Sequence, residues 1–486
     1  MHKHLRTALA TATAAALTGG LAIAATGTAT AADASPAIAQ ADFNADGYGD
    51  VAVSATGATV NGRAKAGAVT IIYGGPTGNR YATIHQDTAG VPGTAEQSDF
   101  FGSDLAYGDF DNDGYDDLAV GAVGEDVGSD VNGGTVAILW GSASGLKGGT
   151  TVKDPRPTKH DWFGGVMEAA DFNGDGVDDL AIGTFTSRVV DVYRGGFGRT
   201  KGVTGGHYTL TAPVLSGEGS GIRFLQSGDA NGDGIKDLVV NGYENDTEIG
   251  YNANFWFPGS ASGVQSATYQ KLPAGIITDI GDTDSDGYDD IVMGIEWDEG
   301  IAGANKGGTA LIAHGTASGP AYGERQEFTQ DTPGVPGGGE NGDGFGADLD
   351  LGDINGDGHL DLVVGSPGEN LAGVVDTGAA TVLYGAADGS GITGQGSKFL
   401  SQDTPGVPNS NEQNDYFGTD VRITDLNGDG RGDVVIGAPG ENGGNGAVYA
   451  LRSGADGSLT SPSGIYVSTV GIDPAGSPRF GYTFAD

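Results

Sequence analysis

The chain has 486 residues, a formal net charge of -41, 92 glycines, 18 prolines and no cysteine. An acidic excess of that size argues against nucleic acid and anionic membrane surfaces as partners and suits cations. Without disulfides, stability has to come from a large core or from bound metal, and apolar runs throughout mark a turn-rich fold rather than low-complexity disorder.

The N-terminus reads as an export signal. His2, Lys3, His4 and Arg6 are a basic start, Ala8 to Ala25 is apolar, and Ala29-Thr30-Ala31 is a small-x-small cleavage site. Residues 1–31 are therefore predicted to be a signal peptide, with the mature chain starting near Ala32. No later segment is apolar for long enough to span a membrane. The mature chain is expected to be secreted, extracellular and monomeric.

From residue 42 one phrase recurs seven times, DxDxDGxxD or DxNxDGxxD. Positions 1, 3, 5 and 9 are Asp42, Asn44, Asp46 and Asp50 in the first loop (42–50), and Asp109, Asp111, Asp113 and Asp117 in the second (109–117). The third (171–179) has Asp171, Asn173, Asp175 and Asp179; the fourth (229–237) has Asp229, Asn231, Asp233 and Asp237. The fifth (282–290) has Asp282, Asp284, Asp286 and Asp290; the sixth (353–361) has Asp353, Asn355, Asp357 and Asp361. The seventh (425–433) has Asp425, Asn427, Asp429 and Asp433. The loops start 67, 62, 58, 53, 71 and 72 residues apart, a period that suits one propeller blade.

The flanks exclude an EF-hand, which needs a bidentate Glu at position 12 and helices on both sides. Position 12 here is Val53, Val120, Ile182, Val240, Met293, Val364 and Ile436. Each loop is instead followed by a short apolar run such as DLAVGA or DVVIGA, which predicts a buried strand. Four loops are preceded by another strand that opens on Phe-Gly eight residues upstream, at Phe101, Phe163, Phe345 and Phe417. A third strand follows (GAVTIIYGG, GGTVAILWGS, GAATVLYGA), then a weaker fourth before the loops QDTAGVPG, QDTPGVPG and QDTPGVP. Four strands in each of seven repeats predict an all-β, seven-bladed propeller of four-stranded antiparallel blades over residues 32–486. Seven separate domains of about 64 residues would each lack a sufficient core.

Calcium prefers oxygen ligands in a flexible cage. Positions 1, 3, 5 and 9 offer side-chain oxygens. Position 7 would offer its carbonyl from Tyr48, Tyr115, Val177, Ile235, Tyr288, His359 and Arg431, which frees the side chain there to vary. Up to seven Ca2+ ions are expected. Loops two and five carry four carboxylates and should bind tightest, while Lys236 should weaken loop four. The alternative, metal-free Asx-turns, leaves twenty-three loop aspartates to repel one another.

The combination of Phe-Gly, a DxDxDGxxD loop and Gly-Ala-Pro resembles the FG-GAP repeats of integrin α-subunit propellers and of bacterial secreted integrin-like proteins. Repeat seven carries it most fully, in Phe417-Gly418, Asp425 to Asp433 and Gly437-Ala438-Pro439; repeat six has Phe345-Gly346 and Gly365-Ser366-Pro367. The resemblance implies a seven-bladed propeller with calcium in the hairpin loops of one face and partner binding on the other. Repeats four and five depart from it, with Gly221-Ile222 and Ala274-Gly275 in place of Phe-Gly. Repeats three to five replace Gly-Ala-Pro by Gly183-Thr184-Phe185, Asn241-Gly242-Tyr243 and Gly294-Ile295-Glu296. Integrin propellers carry such loops on a few blades; here every repeat has one.

Repeat one lacks Phe-Gly, while a spare Phe480-Gly481 opens a last strand. That strand is expected to close the ring on blade one, the alternative being a frayed tail with Ala34 to Ala41 as blade one's inner strand.

Catalytic signals are sparse. GSASG at 141 and GTASG at 315 carry Ala143 and Ala317 where a nucleophile elbow needs Ser, and they read as turns. His160 with Asp161, or His85 with Asp87, would be at most half of an acid–base pair. No catalytic residue is assigned. Glu125, Asp126, Glu369 and Glu441 follow second strands, on the face opposite the loops. Trp162 and Trp297 lie near that face, where they would pack between blades or stack on a ligand; NFWFPGS at 254 reads as strand core. The expected function is an adhesion or ligand-binding module for an extracellular protein or polysaccharide, the alternative being a hydrolase or lyase acting over the central channel. Arg431-Gly432-Asp433 spells an adhesion tripeptide, yet it fills positions 7 to 9 of a metal loop. Asp433 is expected to face a cation, and Arg431 to direct its side chain to solvent.

Overall fold

The computed structural model describes residues 40–200, 202–203, 205–217, 219–245, 252–321, 323 and 325–485. The predicted signal peptide lies outside the described residues. Each apolar run after a hairpin loop is a strand buried on both faces, as in Asp117–Ala122, Asp179–Thr184, Asp361–Ser366 and Asp433–Ala438. Burial on both sides removes the period-two alternation of an ordinary sheet, because neighbouring blades cover both faces. Fourth strands alternate again and expose every second residue or so, as in His207–Thr211 and Arg325–Phe328. They form the outer rim.

Six sheets have four antiparallel strands in sequential order, and a seventh has three, Val51–Ala55, Ala68–Tyr73 and Arg80–Ile84. This is an all-β propeller of seven blades; the described helices are single turns, Glu441–Gly444 and Val467–Val470. Up-down order puts every hairpin loop at one end of the blades. The connections after second and fourth strands lie at the other end.

The core is a ring of inter-blade clusters. Phe43 and Phe101 share the cluster between blades one and two, and Phe110 and Phe163 that between two and three. Phe172 and Ile222 lie between three and four, and Trp256 and Met293 between four and five. Phe328 with Phe345, Phe417 with Tyr449, and Phe480 with Phe484 fill the next three.

Phe-Gly is the latch between blades. The Phe417 N–H donates to the Thr377 carbonyl of the preceding blade at 3.0 Å, and the Phe163, Phe345 and Phe101 amides do the same to Gly133, Gly307 and Ala66. All four rings are buried. The following glycine is required: Gly418 has φ +88°, and a Cβ there would lie 2.2 Å from the Ala379 carbonyl oxygen. In blade four the Gly221 N–H makes the equivalent bond to Phe185 O at 2.9 Å, and Ile222 is buried beside it. The latch thus survives without phenylalanine.

Both termini complete blade one. The Ser54 N–H donates to Thr483 O at 2.8 Å and the Ala485 N–H to Ala52 O at 3.0 Å, while Ala41 pairs antiparallel with Asp50. Phe480 and Phe484 are 0% and 1% exposed, which excludes a frayed tail. The inner strand is a composite: the C-terminal segment supplies its start and Ala41 its last pair.

Candidate metal centres and the opposite face

In each hairpin loop the backbone wraps a carboxylate. The first Asp accepts the N–H groups of positions 5 and 6, as Asp42 does from Asp46 and Gly47 at 3.1 and 2.9 Å and Asp282 from Asp286 and Gly287 at 3.0 and 2.9 Å. Position 5 accepts the N–H of position 7, and position 7 side chains lie against the fourth-position glycine of the preceding loop, Ile235 over Gly174 and Tyr288 over Gly232. The ninth-position Asp is buried under the loop in all seven blades. It accepts an N–H from the end of its blade's third strand, Gly74 to Asp50 at 3.0 Å and Gly385 to Asp361 at 2.8 Å.

Burial, the largest cause, pushes the Asp50 and Asp117 carboxyls up to about 8, Asp237 and Asp361 to about 7 and Asp179 to about 6. Neighbouring loop aspartates add to the rise at Asp50. A hard divalent cation fits such a donor set. In loop two, oxygens of Asp109, Asp111 and Asp117 lie within 4.8 Å of one another, as do those of Asp282, Asp284 and Asp286 in loop five. Asp111 Oδ1, Asp117 Oδ2 and Asp284 Oδ1 are buried without a hydrogen-bond partner. In loops three, four and seven the Asn amide instead donates to the ninth-position Asp, at 3.0 Å from Asn173 to Asp179. Those amides would have to turn to present oxygen.

Two features qualify the carboxylate count. Arg199, from the outer hairpin of blade three, bonds Asp111 at 2.7 Å and Asp113 at 2.5 Å in loop two. His314 Nδ1 lies 3.4 Å from Asp284 and 3.3 Å from Asp290 in loop five, and the Asp290 carboxylate beside it raises its pKa. The two most acidic loops are thus the two that face a basic side chain from another segment across their position 3 carboxylate. Lys236 reaches Asp289 of the next loop at 3.3 Å.

Position 8 was not singled out from the sequence. Asp116, Asp178 and Asp289 each accept the N–H of the first Asp in the preceding loop, at 2.7, 3.0 and 2.7 Å. They tie neighbouring loops into a belt, and acid residues at that position in three repeats were the available signal.

The adhesion tripeptide is held inside this framework. Asp433 is fully buried and accepts from Arg452 at 2.5 Å and from the Ser453 N–H at 2.9 Å. Arg431 does not extend into solvent as expected: its guanidinium folds back onto Asp429 at 2.5 Å.

GSASG and GTASG are turns. The Ser142 and Thr316 hydroxyls each donate to a carbonyl three residues on, at 2.6 Å, and both turns pack on the preceding hairpin loop. His160 faces Asp154 at 3.6 Å rather than the exposed Asp161. The Asp87 carboxylate is taken by Asn61 and the Ala95 N–H. Asn252–Phe257 is buried strand, with Trp256 donating to Asp237 at 2.9 Å.

On the opposite face, all seven blades converge on a funnel of about 550 Å³ over the central channel. Asp104, Asp348 and Asp420 line one side, each accepting a backbone N–H of the next blade. Phe185, Arg223, Phe224, Tyr243, Glu296 and Trp297 line the other. The Arg223 guanidinium stacks on Phe185 and Tyr243 at 5.6 and 5.7 Å, and it makes no ion pair among the described residues. Phe224 is 39% exposed and Trp297 half-buried. Trp162 meets Phe185 edge-on at 6.4 Å, outside the funnel. Among the described residues no helix is long and apolar enough to cross a membrane.

Residues 35–72, 101–139, 345–383 and 417–451 match the family model of the FG-GAP repeat, so the chain carries FG-GAP repeats in blades one, two, six and seven. It is 34% identical over 175 residues to phosphatidylinositol-glycan-specific phospholipase D of Rattus norvegicus, covering 35% of this chain and 20% of that protein. Integrin alpha pat-2 of Caenorhabditis briggsae is 27% identical over 60% of this chain and 20% of its own length. Integrin alpha-PS2 of Drosophila melanogaster is 30% identical over 30% of this chain and 10% of that protein. The matched region spans a fifth or less of these three relatives.

Proposed function

We propose that this propeller with FG-GAP repeats is a calcium-stabilised extracellular binding module that captures a protein or polysaccharide in the funnel opposite its hairpin loops. The observation that carries the ligand site is Arg223, held between two aromatic rings with no carboxylate partner among the described residues, in a chain of net charge -41. A guanidinium so placed is preorganised for a carboxylate or other oxyanion, and Trp297 and Phe224 add faces for stacking. The partly covered relatives named for integrin α subunits support an adhesion reading.

Calcium is the stabiliser in this reading. With a site constant of order 0.1 mM and about 1 mM calcium outside the cell, each filled loop adds roughly 1.4 kcal/mol. Seven would add about 10 kcal/mol, comparable to the whole stability of a domain.

The test is retention of the chain on polysaccharide and cell-surface arrays in calcium, alongside Arg223→Ala. Loss of binding in the variant at an unchanged melting temperature supports the funnel. Equal binding by parent and variant places the ligand elsewhere.

A further inference from the structure

The face opposite the hairpin loops carries carboxylates that neither the loops nor the funnel account for. They sit in three crevices, between blades one and two, five and six, and six and seven, and share one plan. A Gln from the QDT loop (Gln86, Gln330, Gln402) donates to a Glu after the next blade's second strand (Glu125, Glu369, Glu441). An Asp just ahead of Phe-Gly (Asp99, Asp343, Asp415) accepts the N–H of a Glu three residues back (Glu96, Glu340, Glu412) at 2.6, 2.6 and 2.8 Å.

The crevices differ in what completes the charge. Between blades six and seven, Glu441 also accepts from Asn409 and Asn442 at 2.8 and 2.9 Å, with the Tyr449 hydroxyl at 3.3 Å. That carboxylate is supplied with neutral donors. Between blades five and six, Gly337 stands at the place of Asn409 and Thr381 at that of Tyr449. Those two donors are gone and the acids remain. Asp343 is 0% exposed and its Oδ1 has no partner. Oxygens of Glu340, Asp343 and Glu369 lie within 4.8 Å of one another.

A neutral group points to the same place. Gln330 is 2% exposed, its Nε2 is committed to Glu369, and its Oε1 has no partner. A methyl built on Gly307 would lie 3.2 Å from that oxygen and 3.1 Å from the Glu340 carbonyl oxygen, so both oxygens border the same small space. Lys306 is close enough to act on Asp343 but forms no ion pair with the three acids. Burial first, with a smaller push from neighbouring carboxylates, raises Asp343 to about 6 and Glu369 to about 7. Three carboxylates, an amide oxygen and a carbonyl, open to solvent through the exposed Glu340, make an irregular all-oxygen set. Calcium accepts such a set, whereas magnesium demands near-octahedral geometry.

We propose that Glu340, Asp343 and Glu369, with the Gln330 amide oxygen, bind a calcium-class cation in the crevice between blades five and six, on the face away from the hairpin loops. The test uses the full chain: bound calcium is counted by elemental analysis after gel filtration, and affinities are read by calorimetric titration. Asp343→Asn combined with Glu369→Gln is expected to bind one ion fewer than the parent. Should that core variant fail to fold, the exposed Glu340→Gln is expected to weaken one site at least tenfold. An unchanged ion count and unchanged affinities would overturn the site. So would a double variant that retains every ion and melts higher than the parent in chelator, the behaviour of a buried acid pair that merely shares a proton.

Discussion

Blades one, two, six and seven differ from blades three, four and five at one end only. The hairpin ends are alike around the whole ring: a first Asp wrapped by backbone N–H groups and a ninth Asp buried beneath it. At the other end blades two, six and seven carry the Glu of a buried acid crevice after the second strand, whereas blades three, four and five put Phe185, Tyr243 and Glu296 with Trp297 where Gly-Ala-Pro would stand. The family match falls on the first group alone. What repeats in every blade is the hairpin loop, and what departs gathers at one side of the funnel.

The largest expected effect tests the shared end. Excess chelator should lower the melting temperature by tens of degrees, corresponding to about 10 kcal/mol if all seven loops fill. Circular dichroism melts with and without chelator decide it, and an unchanged melt would remove calcium from the account.

Next come the latches. Phe417→Ala and Phe480→Ala each empty a fully buried ring site and should cost about 3–5 kcal/mol in urea unfolding. Ile222→Ala, at the divergent latch of blade four, should cost about 2–5 kcal/mol. If Phe480→Ala cost less than about 1 kcal/mol, closure by the C-terminal segment would not be what stabilises blade one.

Much of this was legible in the sequence because the repeat is long and in phase. Asp at alternate positions before a β-rich apolar run fixed each hairpin, and the spare Phe480-Gly481 foretold closure. Ala41 could not be foreseen as the last pair of blade one's inner strand, since one residue carries no periodicity. Charge counting inside one loop was also incomplete. Arg199 stands 88 positions from Asp111 and His314 follows a different strand, so only the folded ring brings them to loops two and five. The Arg431 side chain was misplaced for a similar local reason: its own loop offers a carboxylate closer than bulk water.

Smaller effects should follow pH in the chelated protein. Burial holds the Asp50, Asp117, Asp237 and Asp361 pKa values near 7 to 8, above the 3.8 of an exposed carboxyl. The folded state therefore binds more protons than the unfolded state between pH 4 and about 8, and stability falls as pH rises through that window. Calcium should abolish the trend, because a bound cation favours the charged carboxylates. Melts of chelated protein at pH 5 and pH 8 check the sign. A higher melting temperature at pH 8 would mean that these aspartates are not buried as described.

The smallest expected effect is on the loops that face a basic side chain from another segment. Arg199 is 41% exposed in its side chain, so its ion pairs with Asp111 and Asp113 contribute at most about 1 kcal/mol to the chelated protein. The same guanidinium occupies two carboxylates that a cation would use. Arg199→Ala should therefore leave the metal-free melt within a few degrees of the parent while strengthening calcium binding at one site several-fold. Calorimetric titration separates the two effects. If the variant binds calcium less tightly, Arg199 orients the loop instead of competing for it, and loop two would depend on its neighbouring blade in a way that loops without such a cation do not.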